Sequence, residues 1–361
     1  MRRINVIGLG LVVLPFVAAP SQTQTRAVLI PGLSETNDYT NPWAYYLNGP
    51  NYSAETVPGL NTSTSIPTQS SAVASYVSGI GGQNTILIGH SQGGVVLRYA
   101  ARSTPVLGLL TVATPNFGAP VADPGAFLTI AAQEGLAGIW LFDMNQVNST
   151  HFASCDGCAE LWYQTTTGIT DVLALVGAGY ELYEAVPFLA SNTHLWDLKP
   201  SSSWISDLVQ NPNLENATFR EAIAVDVQDY AAAPFRLGSW SPATADALAS
   251  TVAYYGMYLI LQGGYLVTIA NDPSRCWDEY NCGVIVGGAQ AMGDLGQLLE
   301  DVPWVANYAI VGGIPNDALV PTYAESLPDK QIFRIVAGLT HNEILGDGQD
   351  VLSGANAVSG R

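Results

Sequence analysis

Apolar and polar positions follow two periods along this chain. Arg26 to Ile30 is a short β-branched run that stops at Pro31-Gly32, the mark of a buried strand ending in a turn. Asn37 to Thr64 is rich in Asn, Tyr, Pro and Thr and reads mostly as loop. From Ile66 to Val77 the apolar residues recur at helical spacing, and Gly79 to Gly82 stops that helix. Thr85 to Ile88 is a second short apolar run, Val95 to Ala101 returns to the helical period, and Leu107 to Val112 is a third strand closed by Thr114-Pro115. Strands alternating with helices predict an α/β fold with parallel strands and right-handed crossovers.

The alternation then breaks. Asp123 to Asn192 holds apolar helical stretches with no clear strand. Strand candidates return at Ala222 to Val227, Tyr308 to Val311 and Ile332 to Val336. The layered domain is therefore expected over 22–122, 195–240 and 302–361, with helical insertions at 123–194 and 241–301 that suit a cap or lid. Within the second insertion, Val252 to Ala270 is uncharged and nearly long enough to span a membrane. A core or cap helix interrupted at Gly263-Gly264 is the favoured reading. A membrane span and a cap helix that meets lipid are the alternatives.

Composition narrows the setting. Of 361 residues, 48% are apolar and 12% charged, so a large core is within reach and disorder is not. The formal charge of −18 repels nucleic-acid phosphates and anionic membrane surfaces. Arg2 and Arg3 followed by the apolar run Ile4 to Ala19 read as an export signal over 1–21. Val17 and Ala19 suit cleavage after Ala19, although Pro20 pushes the cut further on; an uncleaved anchor is the alternative. Four cysteines fit an oxidising compartment, with Cys155–Cys158 and Cys276–Cys282 as the favoured local disulfides among three connectivities. A redox motif at Cys155 to Cys158 and a four-cysteine zinc site are the other readings.

Gly89-His90-Ser91-Gln92-Gly93 has the spacing of a nucleophile elbow, between a strand and a helix as that motif requires. A serine hydroxyl needs a base, and the chain has four histidines: His90, His151, His194 and His341. His90 is next to Ser91 and would point away from it, and His151 and His194 belong to the first insertion. His341 lies just past the last strand, on the expected loop edge of the sheet. Asp317, in Asn316-Asp317-Ala318-Leu319-Val320-Pro321 past Tyr308 to Val311, is the orienting carboxylate, with Asp294, Asp301 and Glu343 as rivals. The order Ser91, Asp317, His341 is that of the strand-turn-helix serine hydrolases. Backbone N–H groups of Leu33 and Gln92 are the expected oxyanion donors; an ordinary Pro-Gly turn is the alternative at Leu33.

These stretches, with Val112 to Pro120, Thr340-His341-Asn342-Glu343 and the segment from Asp197 to Leu208, resemble the bacterial lipase and esterase branch of the α/β-hydrolases. The resemblance covers Arg26 to Ala122, about Leu195 to Phe235, and Asn307 to Gly346. It implies a fold that starts at the strand before the oxyanion loop, and carboxylic-ester hydrolysis through an acyl-enzyme. The apolar insertions, read as a cap over an acyl pocket, argue for lipid or other apolar esters and contact with a lipid–water interface. Those lipases usually carry His-Gly in the oxyanion loop, whereas Pro31-Gly32 here is similar to some fungal lipases. Some relatives bind structural calcium near the histidine loop, for which Glu343, Asp347 and Asp350 are candidates beside the reading of a solvated acidic loop; no other cofactor is implied. Acyl transfer or polyester depolymerisation by the same three residues, and a non-catalytic binding module, are the competing functions.

Overall fold

A computed structural model describes residues 24–123, 194–230, 242–272, 315–330 and 333–361, with isolated positions between 231 and 314. Among the described residues six parallel strands form one sheet: β1 (Thr25–Ile30), β2 (Tyr52–Thr56), β3 (Thr85–His90), β4 (Val106–Val112), β5 (Ala217–Asp226) and β6 (Arg334–Ala337). Their order is β2-β1-β3-β4-β5-β6, and every neighbouring pair is parallel. The chain crosses from β1 out to β2, returns to β3 on the other side of β1, and then proceeds outward. That reversal is the topological switch point of an open α/β sheet, where ligands bind beyond the carboxyl ends of the strands. This is the α/β-hydrolase fold.

Strand side chains alternate between two cores. Val28, Ile30, Leu87 and Leu109 face one side with α2 (Ile66–Ile80) and α3 (Gln92–Ser103). Ala27, Leu29, Ile86, Ile88, Leu110 and Val112 face the other, against Trp43 and Leu47 of α1 (Asn41–Leu47) and Val351, Ala355 and Val358 of α6 (Gly348–Ser359). The central strands β1 and β3 are buried on both faces, which is why they read as unbroken apolar runs.

The sequence expectations hold for β1, β3, β4, β5, α2 and α3 to within a few residues, and β6 lies within two residues of its expected place. Three others need correction. Asn37–Thr64 is not mostly loop: it holds α1 and β2. Pro42 starts α1, and β2 is a half-exposed edge strand without the apolar run that marks its neighbours. The strand expected over Tyr308–Val311 has no counterpart among the described residues; Val311, the one described, is buried and helical. A short apolar run does not by itself separate strand from buried helix.

The third correction concerns the second insertion. It opens with α5 (Pro242–Ala270), one helix that runs through Gly263-Gly264 without a break. A Cβ on Gly263 would lie 2.6 Å from the carbonyl oxygen of Ala289, and one on Gly296 would lie 2.5 Å from that of Gly256. The glycines let a neighbouring segment approach, and the helix does not end there. Among the described residues, no helix is long and apolar enough to cross a membrane. The signal segment 1–21, Cys155, Cys158, Cys276, His151, Asp294 and Asp301 lie outside the described residues; Cys282 is not a free thiol.

A buried ionic cluster holds the framework beneath the motif Thr114 to Pro120. Arg98 of α3 is fully buried and donates to Glu215 Oε1 at 2.7 Å, Asn116 Oδ1 at 3.0 Å and the Leu208 carbonyl at 3.2 Å. Leu208 belongs to α4 (Ser203–Gln210), so one guanidinium joins α3, the loop after β4 and α4. Removing one partner of a buried pair leaves the other charge without its main compensation. Arg98→Met should lower unfolding free energy by about 3–5 kcal/mol, measured by urea denaturation; a change within about 0.5 kcal/mol, typical of surface sites, would contradict this role.

Candidate active site

The elbow after β3 is built by close backbone approach. Ser91 sits at φ 51°, ψ −126°, a conformation L residues adopt only when their surroundings force it, at a cost of about 1–3 kcal/mol. A Cβ on Gly89 would lie 2.6 Å from the Gly93 carbonyl, and one on Gly93 would collide with the carbonyls of Ile30 and Pro31. Glycine is required at both places. The Ser91 N–H donates to the Val112 carbonyl at 3.0 Å, which anchors the elbow to β4. Gln92 is the first residue of α3, so Ser91 stands at the partly positive N-terminus of that helix, where the Gly94 N–H donates to the Ser91 carbonyl at 3.0 Å.

Asp317 and His341 reach Ser91 from the carboxyl ends of β5 and β6. The Asn316–Pro321 turn docks on β5: Val227 N–H donates to the Asn316 carbonyl at 2.8 Å, and Thr322 Oγ1 donates to the Val225 carbonyl at 2.9 Å. The turn that carries the acid is therefore docked on β5, across the second insertion. Asp317 is fully buried, and its Oδ1 accepts the N–H groups of Leu319 at 2.8 Å and Val320 at 2.5 Å, which fixes the carboxylate. His341 lies four residues past the end of β6. His341 Nδ1 is 2.5 Å from Asp317 Oδ2, and its Nε2 is 2.8 Å from Ser91 Oγ. A carboxylate only accepts, so in the neutral ring Nδ1 carries the hydrogen and Nε2 accepts from the serine hydroxyl. The structure thus brings Ser91, Asp317 and His341 into one hydrogen-bonded chain, with Ser91 9% and His341 2% exposed.

The backbone of the histidine loop is held on all sides. His341 N–H donates to the Asp317 carbonyl at 2.8 Å, Thr340 N–H to Glu343 Oε2 at 2.8 Å, and Trp43 Nε1 to the Ile344 carbonyl at 3.2 Å. Arg236 in turn binds Glu343 at 2.5 Å and the Gly338 carbonyl at 2.8 Å. Glu343, a rival for the acid, is thus a loop brace. The three carboxylates named for calcium have protein partners: Glu343 has Arg236, Asp347 caps α6 through the N–H groups of Gln349 and Asp350, and Asp350 pairs with Arg334 at 2.5 Å. Among the described residues no cluster of three or more His, Cys, Asp or Glu is arranged to hold a metal. His194 lies apart, 3.7 Å from Asp197.

Leu33 follows Gly32 on the loop after β1 and packs against the core beside α3. The Gly32 N–H is taken by Glu35 Oε2, while Leu33 and Gln92 sit on the two loops that flank the serine. Two carboxyls at this edge, the part-buried Glu35 and the fully buried Glu325, were not singled out from the sequence. Glu35 pairs with His90 at 3.0 Å. Glu325 is fully buried near Asp317; its Oε2 accepts the Val225 N–H at 3.1 Å, and its Oε1 has no hydrogen-bond partner among the described residues. Neither lies in a motif, and only the packing of distant loops reveals them.

A scan against protein-family models finds no match, and a search of curated proteins finds none. Among solved structures, similarity extends to MenH from S. aureus, at 11% identity over 94% of this chain and 96% of that one, with a TM-score of 0.35. A bacterial membrane phospholipase A matches at 26% identity over 26% of this chain and 34% of its own, with a TM-score of 0.23. A metagenomic carboxyl esterase matches at 20% identity over 29% and 36%, with a TM-score of 0.25. The chain thus spans about a third of the phospholipase and of the esterase. The fold assignment rests on strand order and connectivity, not on these scores.

Burial, and after it the negative charge of Asp317, raise the Glu325 carboxyl well above the ordinary carboxylate range. A carboxyl that binds its proton more tightly when folded makes stability fall as pH rises past its unfolded value. Glu325→Gln should therefore gain stability relative to the parent as pH rises from about 5 to about 9. Thermal melting across that range checks it, and a difference that stays flat would show that Glu325 is not held protonated.

Proposed function

We propose that the chain is a secreted carboxylic-ester hydrolase of the lipase and esterase type. The observation that carries this reading is the single imidazole 2.8 Å from a serine hydroxyl on one side and 2.5 Å from a buried carboxylate on the other. In the proposed cycle Ser91 Oγ attacks the ester carbonyl carbon while His341 Nε2 takes its proton. The N–H groups of Leu33 and Gln92 stabilise the oxygen as it becomes negative. His341 then gives the proton to the departing alcohol oxygen, leaving an acyl-serine. Water, deprotonated by His341, repeats the attack and releases the carboxylic acid. Asp317 holds the imidazole in the required tautomer and faces the charge that develops on it.

Apolar esters are the favoured substrates. Support comes from α5, which exposes Tyr254, Met257, Leu261 and Tyr265 at helical spacing. No charged residue occurs between Asp246 and Asp272, so this face suits contact with lipid or with an acyl chain at a lipid–water interface. The net charge of −18 directs that contact to neutral rather than anionic surfaces. Export rests on Arg2, Arg3 and the apolar run that follows them.

Hydrolysis of a p-nitrophenyl ester series of increasing chain length tests the reading. Ser91→Ala and His341→Ala should each lower kcat by about 10⁶-fold. Activity should persist in the presence of a chelator, with longer acyl chains preferred. Retention of most activity by either variant would refute the assignment.

A further inference from the structure

The mechanism above leaves unused a buried ionisable pair that touches every loop carrying a reacting group. The His90 side chain is fully buried, and its Nδ1 lies 3.0 Å from Glu35 Oε1 and 3.1 Å from Oε2. Its Nε2 is 2.9 Å from the carbonyl oxygen of His341. Glu35, whose side chain is 12% exposed, also accepts the N–H of Gly32. His90 directly precedes Ser91, Gly32 directly precedes Leu33, and the carbonyl belongs to the proposed base itself. The rings of His90 and His341 are 4.9 Å apart, and Trp43 meets the His90 ring edge-on at 6.1 Å.

The proton count follows from the contacts. A carbonyl oxygen only accepts, so His90 Nε2 must carry hydrogen. A neutral ring would then present the Nδ1 lone pair to a carboxylate, which is repulsive. Either His90 carries both protons or Glu35 carries one, so one proton always lies between them. With that proton in place, both ring nitrogens are hydrogen-bonded, Nδ1 to Glu35 and Nε2 to the His341 carbonyl.

We propose that Glu35 and His90 are positioning residues for the hydrolysis: a buried pair sharing one proton that locks the oxyanion loop, the elbow and the backbone of His341 in register. The inference rests on the reading of Ser91 and His341 as nucleophile and base. Neither residue touches the reacting atoms. Their contribution is to fix His341 from its carbonyl side, as Asp317 fixes it from its N–H side.

The charged groups facing His90 are Glu35 and Asp317, and His341 meets it through its backbone carbonyl. Burial opposes charge on His90, but the Glu35 carboxylate and its hydrogen bond outweigh this and raise His90 above the usual histidine value. Burial likewise opposes charge on Glu35, while His90 and the Gly32 N–H bring it below the usual carboxylate value. The shared proton therefore sits on His90. The stabilisation from this pair is lost as pH falls through the lowered Glu35 value, and lost again as pH rises through the raised His90 value.

Two measurements test the proposal. In the intact protein with ¹⁵N-labelled histidine, His90 should show two ring N–H groups and imidazolium nitrogen shifts at neutral pH. In Glu35→Gln it should become a neutral ring with one N–H. That variant should lose about 10²-fold in kcat, the scale of a misplaced catalytic group, while KM for a p-nitrophenyl ester stays within about threefold. Glu35→Asp should recover part of the rate, and Glu35→Gln combined with His90→Gln should be no slower than the worse single variant, because the two act as a unit. A neutral His90 in the parent protein would overturn the proposal, even if no variant folds. So would a folded Glu35→Gln with unchanged kcat, or a loss confined to KM. Activity surviving in Ser91→Ala would instead sink the hydrolase reading and leave the histidine spectrum as it stands.

Discussion

His341 can touch Ser91 and Asp317 at once only because three strands of one parallel sheet end on the same edge. β3 delivers the serine, β5 carries the turn with the aspartate, and β6 leads into the histidine loop. The hydrogen-bonded registers Gly89↔Thr111, Ile223↔Arg334 and Asp226↔Ala337 fix how far each loop projects. In sequence the histidine and the serine are 250 residues apart. Continuity of the sheet between β3 and β6 turns that separation into a 2.8 Å contact. Loss of register in β4 or β5 would part the two before any active-site side chain had changed.

The site gives up stability for geometry. Ser91 is held in a strained backbone conformation, and ionisable groups are withdrawn from water close by: Asp317, Glu325 and the Glu35–His90 pair. Each of these opposes folding unless neighbours offset it. The offset is local. Asp317 receives backbone N–H groups from its own turn, Glu35 receives a backbone N–H and an imidazole, and Arg98 below the site receives Glu215, Asn116 and a carbonyl. The two apolar cores on either face of the sheet hold this polar edge together.

Much of this was legible in the chain itself. The central strands are short apolar runs, and a serine between Gly89 and Gly93 marks the elbow because no larger residue fits there. Asp317 and His341 were found by their order and by the scarcity of histidines. Less legible was whatever depended on tertiary contact. The edge strand β2 lacks an apolar run because one side of it meets solvent. The strand that the Asp317 turn docks on is separated from it by the whole second insertion, a link that sequence order does not reveal. Glu35 and His90 have no shared motif, and the sequence placed His90 facing away from Ser91. The structure adds where that ring goes: to Glu35 and to the carbonyl of His341, a destination set by loops 55 and 251 residues away.

The central claim is that Ser91 is an activated nucleophile, and a fluorophosphonate probe addresses it without any assumption about substrate. Intact-mass and peptide analysis after brief exposure should show one covalent adduct per chain, located on Ser91, with none when the protein is unfolded before exposure. An unmodified Ser91 in the folded protein, or an adduct elsewhere, would contradict the account.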